Sequence, residues 1–279
     1  INSSVQQLEY GFADAFNKLA TPTKKKIAII KGKGTLGDEY IADYLKTMRG
    51  YYDIGAITLD SVANDAQKTL THLSSFDLIV VAKPTQTFTD REKYVLDQYI
   101  VNGGKSIWLI DQVAMQLDSL FNATGSNVAT VKDLGLNDFF FKYGLRIDPI
   151  LVNDPYNTPI VLATGEGTSS QYNPLPWVYH PMVLSPNDHP INKNIEALRF
   201  QFANTIDTLP NANKKTILLR SSHLSKKVGV PKAISLDIID RQPDQNQYKN
   251  QGSLPLAVLV EGDFKSVFIN RIKPVALKE

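Results

Sequence analysis

The chain has 279 residues, 43% hydrophobic and 21% charged, enough to bury a substantial core in one large domain or two ordinary ones. Its formal charge of +2 excludes the strongly basic footprint of a nucleic-acid binder. Cysteine is absent, which excludes disulfides, thiolate metal ligands and cysteine nucleophiles together.

No stretch approaches the roughly 20 apolar residues of a membrane span, and no signal peptide is present. The chain begins at Ile1 rather than Met and ends at Lys278-Glu279 without punctuation. It therefore reads as a piece of a longer protein, and missing targeting or membrane segments say nothing about the parent.

Val5, Leu8, Phe12, Ala15, Phe16 and Leu19 recur at helical spacing, and Thr21-Pro22 ends that helix. Residues 1–23 are then an N-terminal helix that packs on a sheet face or a stalk from something upstream. Residues 27–30 are a short apolar run, as expected of a central parallel strand. A glycine-rich loop follows over 31–37, then a helix over 38–48 with Tyr40, Ile41, Tyr44, Leu45 and Met48 on one face. A strand is predicted over 52–59, closed by Asp60, and a helix is marked by Ala63, Ala66, Leu70 and Leu73.

Residues 76–111 carry the strongest local pattern: an apolar run over 76–82, a helical stretch over 89–101, the break Asn102-Gly103-Gly104, and a second apolar run over 106–110 ending in Asp111. Two parallel strands need a long crossover, so this βαβ unit forces a parallel sheet. A loop around Gly125 and Asn127, a helix over 134–143 stopped by Gly144, and a fifth strand over 146–152 complete the alternation. The fold class is α/β. It is a doubly wound, mostly parallel sheet over residues 24–152, flavodoxin-like or amidotransferase-like, with a β-rich C-terminal elaboration.

Residues 153–279 form that elaboration, as part of the same domain or a second one. Eight of the 15 prolines fall between positions 149 and 190, which signals irregular structure or edge strands. Strands are predicted over 198–206 and 216–220. Residues 254–260 and 265–270 flank Glu261-Gly262-Asp263 as a hairpin.

Several motifs bear on chemistry. Gly32-x-Gly34-x-x-Gly37 matches the dinucleotide fingerprint in letters, and Asp60 ends the next strand as a ribose-binding acid would. Against it, Asp38 and Glu39 already satisfy the helix dipole and repel phosphate, and Lys33 crowds the closest backbone approach. A tight βα turn accounts for the same glycines. Gly103-Gly104-Lys105-Ser106 has the end of a Walker A loop, but Tyr99 stands where its first glycine belongs and the motif precedes a strand. His72, His180, His189 and His223 lack metal-ligand spacing, and no GxSxG elbow occurs. No catalytic residue, cofactor or metal site is assigned.

The lysine pairs Lys214-Lys215 and Lys226-Lys227 read as solvated loops, and Phe139, Phe140, Phe141 and Tyr143 read as core. Tyr172, Trp177 and Tyr179 sit among prolines, where aromatics either pin a long loop or present it to a partner. With strand order 2-1-3-4-5, the switch point lies between the strands ending at Ile30 and Ala82. The candidate groove there is Lys31, Gly32, Lys33, Gly34, Lys83, Pro84, Thr85 and Asp111.

The succession of residues 27–34, 76–84, 89–104 and 107–111, with 198–203 and 255–262 later, resembles the auxiliary domain of ABC-type transport systems, in particular the gliding-motility-associated, GldG-like components. That family's core is similar to class I glutamine amidotransferases and to the GIFT domain of an intraflagellar transport protein. The chain lacks the amidotransferase cysteine, and its Gly32-Lys33-Gly34-Thr35 replaces the family's Gly-His-Gly-Glu loop. The resemblance implies a non-catalytic binding or scaffold module on the periplasmic face of the bacterial inner membrane. It would be tethered by segments outside this sequence. Its partners would be an ABC permease and ATPase and other gliding or secretion components, with no nucleic acid. The alternatives are a nucleotide- or dinucleotide-binding enzyme using the Gly32, Gly34, Gly37 and Asp60 set, and a degenerate amidotransferase kept as a ligand-free scaffold.

Overall fold

The computed structural model describes residues 2–21, 23–164, 171–185, 188–193, 195–240, 244–249 and 251–277. They form two compact units, Ile1–Ile110 with Ser266–Glu279, and Asp111–Lys265.

The first unit opens on α1 (Asn2–Ala20). Next come β1 (Lys26–Lys31), α2 (Ala42–Met48), β2 (Asp53–Thr58), α3 (Ala66–Leu73), β3 (Leu78–Ala82), α4 (Asp90–Val101) and β4 (Lys105–Leu109). The four strands are parallel, in the order β2-β1-β3-β4, with Ile29 of β1 lying between Ala56 and Val80. The switch point therefore falls between β1 and β3, where a 2-1-3-4-5 order would put it, although the fifth strand of that order is not in the sheet. Ile27 and Ile29 pack with Leu45 of α2 and Val80. Strand alternation sends the fully buried Ala28 and Ile30 to the opposite face. Helix α4 starts firmly because Thr89 and Glu92 form a reciprocal capping box, worth about 1 kcal/mol.

The chain's last segment rejoins this unit. Asp97 of α4 is fully buried and accepts hydrogen bonds from Ser266 Oγ at 2.6 Å and Val267 N at 2.9 Å. Beside it, Phe268 packs edge-on against Tyr94 at 5.1 Å. A buried carboxylate without such donors would be costly, so the returning segment and α4 stabilise one another.

The second unit is built from β5 (Val113–Ala114), β6 (Ser126–Val131), α5 (Asn137–Lys142), β7 (Leu145–Ile147), β8 (Ile150–Asn153), β9 (Ile160–Thr164), β10 (Gln171–Leu175), β11 (Met182–Val183), β12 (Leu198–Arg199), β13 (Ile206–Thr208), β14 (Lys214–Arg220), β15 (Lys226–Gly229), β16 (Lys232–Ser235) and β17 (Pro255–Glu261). All of its ladders are antiparallel among the described residues: β5-β6-β16, β7-β13, β8-β15, β9-β10, β11-β12 and β14-β17. One core gathers Leu120, Ala129, Leu151, Trp177, Tyr179, Phe202 and Ile234. Asp154, fully buried, ties this core's backbone by accepting from Tyr156 N, Ser222 N and Ser222 Oγ at 2.6–2.9 Å.

Several expectations change. The parallel sheet ends at Leu109, so the predicted 24–152 sheet domain is shorter. Residues 146–152 form strand, but β7 and β8 pair antiparallel with β13 and β15. Charge reinforces that choice: Arg146 contacts both Asp148 and Asp207, and Lys227 reaches Asp148 at 2.9 Å. The predicted loop around Gly125 leads directly into β6. The predicted hairpin over 254–270 does not form. β17 pairs instead with β14, while Val267 and Phe268 are buried in the first unit. The predicted strand over 198–206 shrinks to the short β12 and the start of β13. Helix α5 buries Phe139, Phe140 and Tyr143 but leaves Phe141 exposed. Parts of the proline-rich region, residues 165–170 and 186–187, lie outside the described residues, as does Pro22.

Candidate binding ledge at the strand ends

Strand order brings the loops after β1 and β3 side by side, so Lys31, Gly32, Lys33 and Gly34 meet Lys83, Pro84 and Thr85. The first loop turns through three consecutive left-handed residues, Gly32 (φ +79°), Lys33 (φ +53°) and Gly34 (φ +61°). Glycine adopts this region without steric cost, while Lys33 is held there by its surroundings. The Lys33 carbonyl accepts from Thr85 N at 2.9 Å and Gln86 N at 3.0 Å, and Thr85 Oγ1 donates to the Gly34 carbonyl at 3.1 Å. A Cβ on Gly34 would stand only 1.8 Å from Thr85 Oγ1. Close approach of the two loops therefore demands glycine here.

The Lys33 side chain closes the arrangement. Its Nζ lies 2.8 Å from Glu92 Oε2, with side-chain exposures of only 14% and 8%. It also donates to the Thr87 carbonyl at 3.2 Å and stands 5.8 Å from the centre of the Phe88 ring. Glu92 is the same carboxylate that caps α4 through Thr89 N and Oγ1. Lys33 thus ties the glycine loop to the first turn of α4. Lys31 is paired as well, with Asp38 at 2.5 Å. Lys83, also left-handed at φ +52°, anchors its backbone by donating to the Leu109 carbonyl at 2.9 Å. Asp111, the eighth predicted groove residue, belongs to the second unit.

The dinucleotide reading finds part of its geometry. Asp60 opens a 3₁₀ turn just after β2 rather than ending the strand, and its carboxylate oxygens lie 3.8 Å from where a Cβ on Gly32 would stand. Gly37, however, does not open a helix. It precedes a 3₁₀ turn over Asp38–Tyr40, and α2 begins only at Ala42, with Ile41 at its cap and no side-chain cap bond. The amide cluster and dipole that would receive a pyrophosphate are displaced from the glycine loop.

A cavity of about 570 Å³ adjoins this end of the sheet, lined by Leu59, Asp60, Val62, Ala63, the first turn of α4 (Thr89, Asp90, Arg91 and Glu92) and Pro274. Sequence reading missed it, because Pro274 arrives from the far end of the chain. Glu92 and Phe88 were missed too. The Thr-x-x-Glu spacing at 89–92 is the signal that could have flagged Glu92 as a capping carboxylate.

The three aromatics offered as a partner surface separate. Trp177 is fully buried and Tyr179 nearly so, packed mostly edge-on among His180 and Phe202 at ring separations of 5.6–6.4 Å. They hold the proline-rich region down, because a bulky ring fixes a loop by burying its apolar area. Tyr172 on β10 remains exposed. His180 is buried with both ring nitrogens lacking a hydrogen-bond partner among the described residues. Burial, aided by the Arg199 charge, pulls its pKa down from 6.5 to about 4. Among the described residues, no group of three or more His, Asp or Glu side chains is placed to hold a metal, and no helix is long and apolar enough to cross a membrane.

The first unit is a parallel α/β module whose strand ends carry a ledge of interlocked loops, and the chain also contributes a β-rich unit. Residues 24–279 match the family described as "ABC-type uncharacterized transport system", and the chain belongs to that family of transport-system auxiliary components. It is accordingly associated with the components of an ABC-type transporter. No curated protein matches the chain. A solved structure, the mmIFT52 N-terminal domain, is similar at 12% identity and a TM-score of 0.48, over 72% of this chain and 75% of that one.

Proposed function

We propose that the chain is a non-catalytic binding or scaffold module of a membrane-tethered ABC-type complex, held on the periplasmic face of the bacterial inner membrane. It would serve gliding motility or the associated secretion machinery, with a GldG-like and GIFT-like relationship and a doubly wound, flavodoxin-like or amidotransferase-like core. Its partners are the permease and ATPase subunits. Family membership supports the transport role, and the family resemblance in residues 27–34 and 76–111 supports the finer reading. The single observation that carries the binding role is the Lys33–Glu92 tie. It places a charged pair, two loops and a helix cap where an open nucleotide cleft would need free backbone amides. A preformed, self-supporting ledge suits a macromolecular partner, whose interface needs complementary shape more than a cavity.

Location has a direct test, because the chain contains no cysteine. In intact cells, Tyr172→Cys should react with a membrane-impermeant maleimide once the outer membrane alone is opened. Labelling only after complete lysis contradicts the periplasmic placement.

Asp60 beside Gly32 keeps a second reading in play, a dinucleotide-binding enzyme. Titration with NAD or NADP separates the two. A ligand at about 100 times its dissociation constant stabilises by about 2.7 kcal/mol and raises the melting temperature, whereas the scaffold reading expects no shift at millimolar cofactor.

A further inference from the structure

Helix α1 lies outside the family match, which begins at residue 24, and it presents itself to the first unit the wrong way round. Its polar edge faces inward. Asp14 accepts from Tyr51 Oη at 2.6 Å and from Lys18 Nζ at 2.6 Å, and Lys18 stands 4.8 Å from the centre of the Tyr51 ring. The Lys18 ammonium, with the Tyr51 hydroxyl, holds the Asp14 carboxyl below its usual pKa. At about 100° per residue, Phe12 lies on nearly the opposite side of the helix from Asp14. Leu8, Phe12, Phe16 and Leu19 are 53–79% exposed there. A helix exposed along most of its length gains little from propensity alone and needs a partner for its apolar face.

The spacing of that face identifies the partner's shape. Val5, Leu8, Phe12, Ala15 and Leu19 are separated by 3, 4, 3 and 4 positions, the seam of a two-stranded coiled coil, which Phe16 widens on one flank. We propose that α1 pairs with α1 of a second copy of this chain, as a parallel coiled coil. The seam is apolar throughout and carries no charge that an unlike partner would have to match. In a parallel pair the positions flanking the seam are also self-complementary. Phe16 packs over the partner's Gly11, and a Cβ built on Gly11 meets nothing within 4 Å, so the space for that ring is present. A lipid surface is the poorer fit. The helix carries Glu9, Asp14 and Lys18, without the basic flank of a membrane-surface helix.

Sedimentation velocity on the full chain over a wide concentration range tests this. The expected result is a concentration-dependent dimer that Phe12→Glu weakens by roughly a hundredfold, since it buries two carboxylates in the seam. Phe12 is exposed in the single chain, so the thermal unfolding of the variant should stay close to wild type and exclude misfolding as the cause. In the cysteine-free background, Leu8→Cys should cross-link to a disulfide dimer under mild oxidation, while Asn17→Cys on the outer face should not. The proposal is overturned by a chain that stays monomeric throughout, by a dimer indifferent to Phe12→Glu, or by a monomer that binds phosphatidylcholine–phosphatidylglycerol vesicles through Phe12.

Discussion

In the first unit, β1 and β3 each have a parallel neighbour on both sides, and the buried runs that form them are nearly continuous in sequence. In the second unit, β7, β8, β9, β11 and β14 each share a ladder with a single antiparallel partner among the described residues. Cohesion there comes from aromatic packing and from buried polar groups that reach far along the chain. Each unit nevertheless relies on a fully buried aspartate, Asp97 or Asp154, that accepts from backbone and serine donors 68–170 residues away. A parallel sheet fixes its own interior through crossovers, whereas small antiparallel ladders need side chains to assemble them.

That contrast can be broken experimentally. The largest effect is expected in the second unit, where Trp177→Ala empties the centre of the aromatic core. Chemical denaturation should show a loss of about 4 kcal/mol, with faster amide exchange in β6 and β8, which supply Ala129 and Leu151 to that core. In the first unit, Asp97→Ala strips the acceptor from Ser266 and Val267. A loss of about 3 kcal/mol is expected, with the Val267 amide exchanging early. An unchanged Val267 amide would mean that the returning segment is held by Phe268 packing instead.

Lys33→Met removes one member of a largely buried ion pair and leaves Glu92 with only its Thr89 donors. It should cost about 2–3 kcal/mol and loosen residues 31–37 and 83–89 in hydrogen exchange, sparing β2. The smallest change is pH-linked. His180 titrates near 4 when folded and near 6.5 when unfolded, so between those values the unfolded chain binds more protons. Stability is then full above pH 6.5 and lost as pH falls toward 4, by about 2 kcal/mol between pH 7 and pH 5. His180→Gln should flatten that slope in urea titrations at the two pH values.

The sequence disclosed the first unit better than the second for physical reasons. Residues 27–30 and 79–82 are buried on both faces, so apolar runs mark them directly, and Asn102-Gly103-Gly104 punctuates the crossover. β6 escaped notice because only Ala129 of its six residues is buried, leaving no alternation to read. β7 and β8 were legible as strands, but their partners β13 and β15 lie about sixty to eighty residues onward, and no local signal encodes such pairings. The glycine loop was located correctly and its reason was not. Gly34 is required by Thr85, and Lys33 finds its carboxylate in a helix cap, contacts that only the strand order creates. Trp177 and Tyr179 were noticed, with burial and exposure equally open, since proline-rich surroundings fit either.

The most direct measurement is titration of the purified chain into the reconstituted permease–ATPase complex of its own transport system, followed by calorimetry. The scaffold role predicts a saturable complex, with no heat when the same chain is titrated with NAD or NADP. Saturable cofactor binding together with no association with the transporter would contradict it.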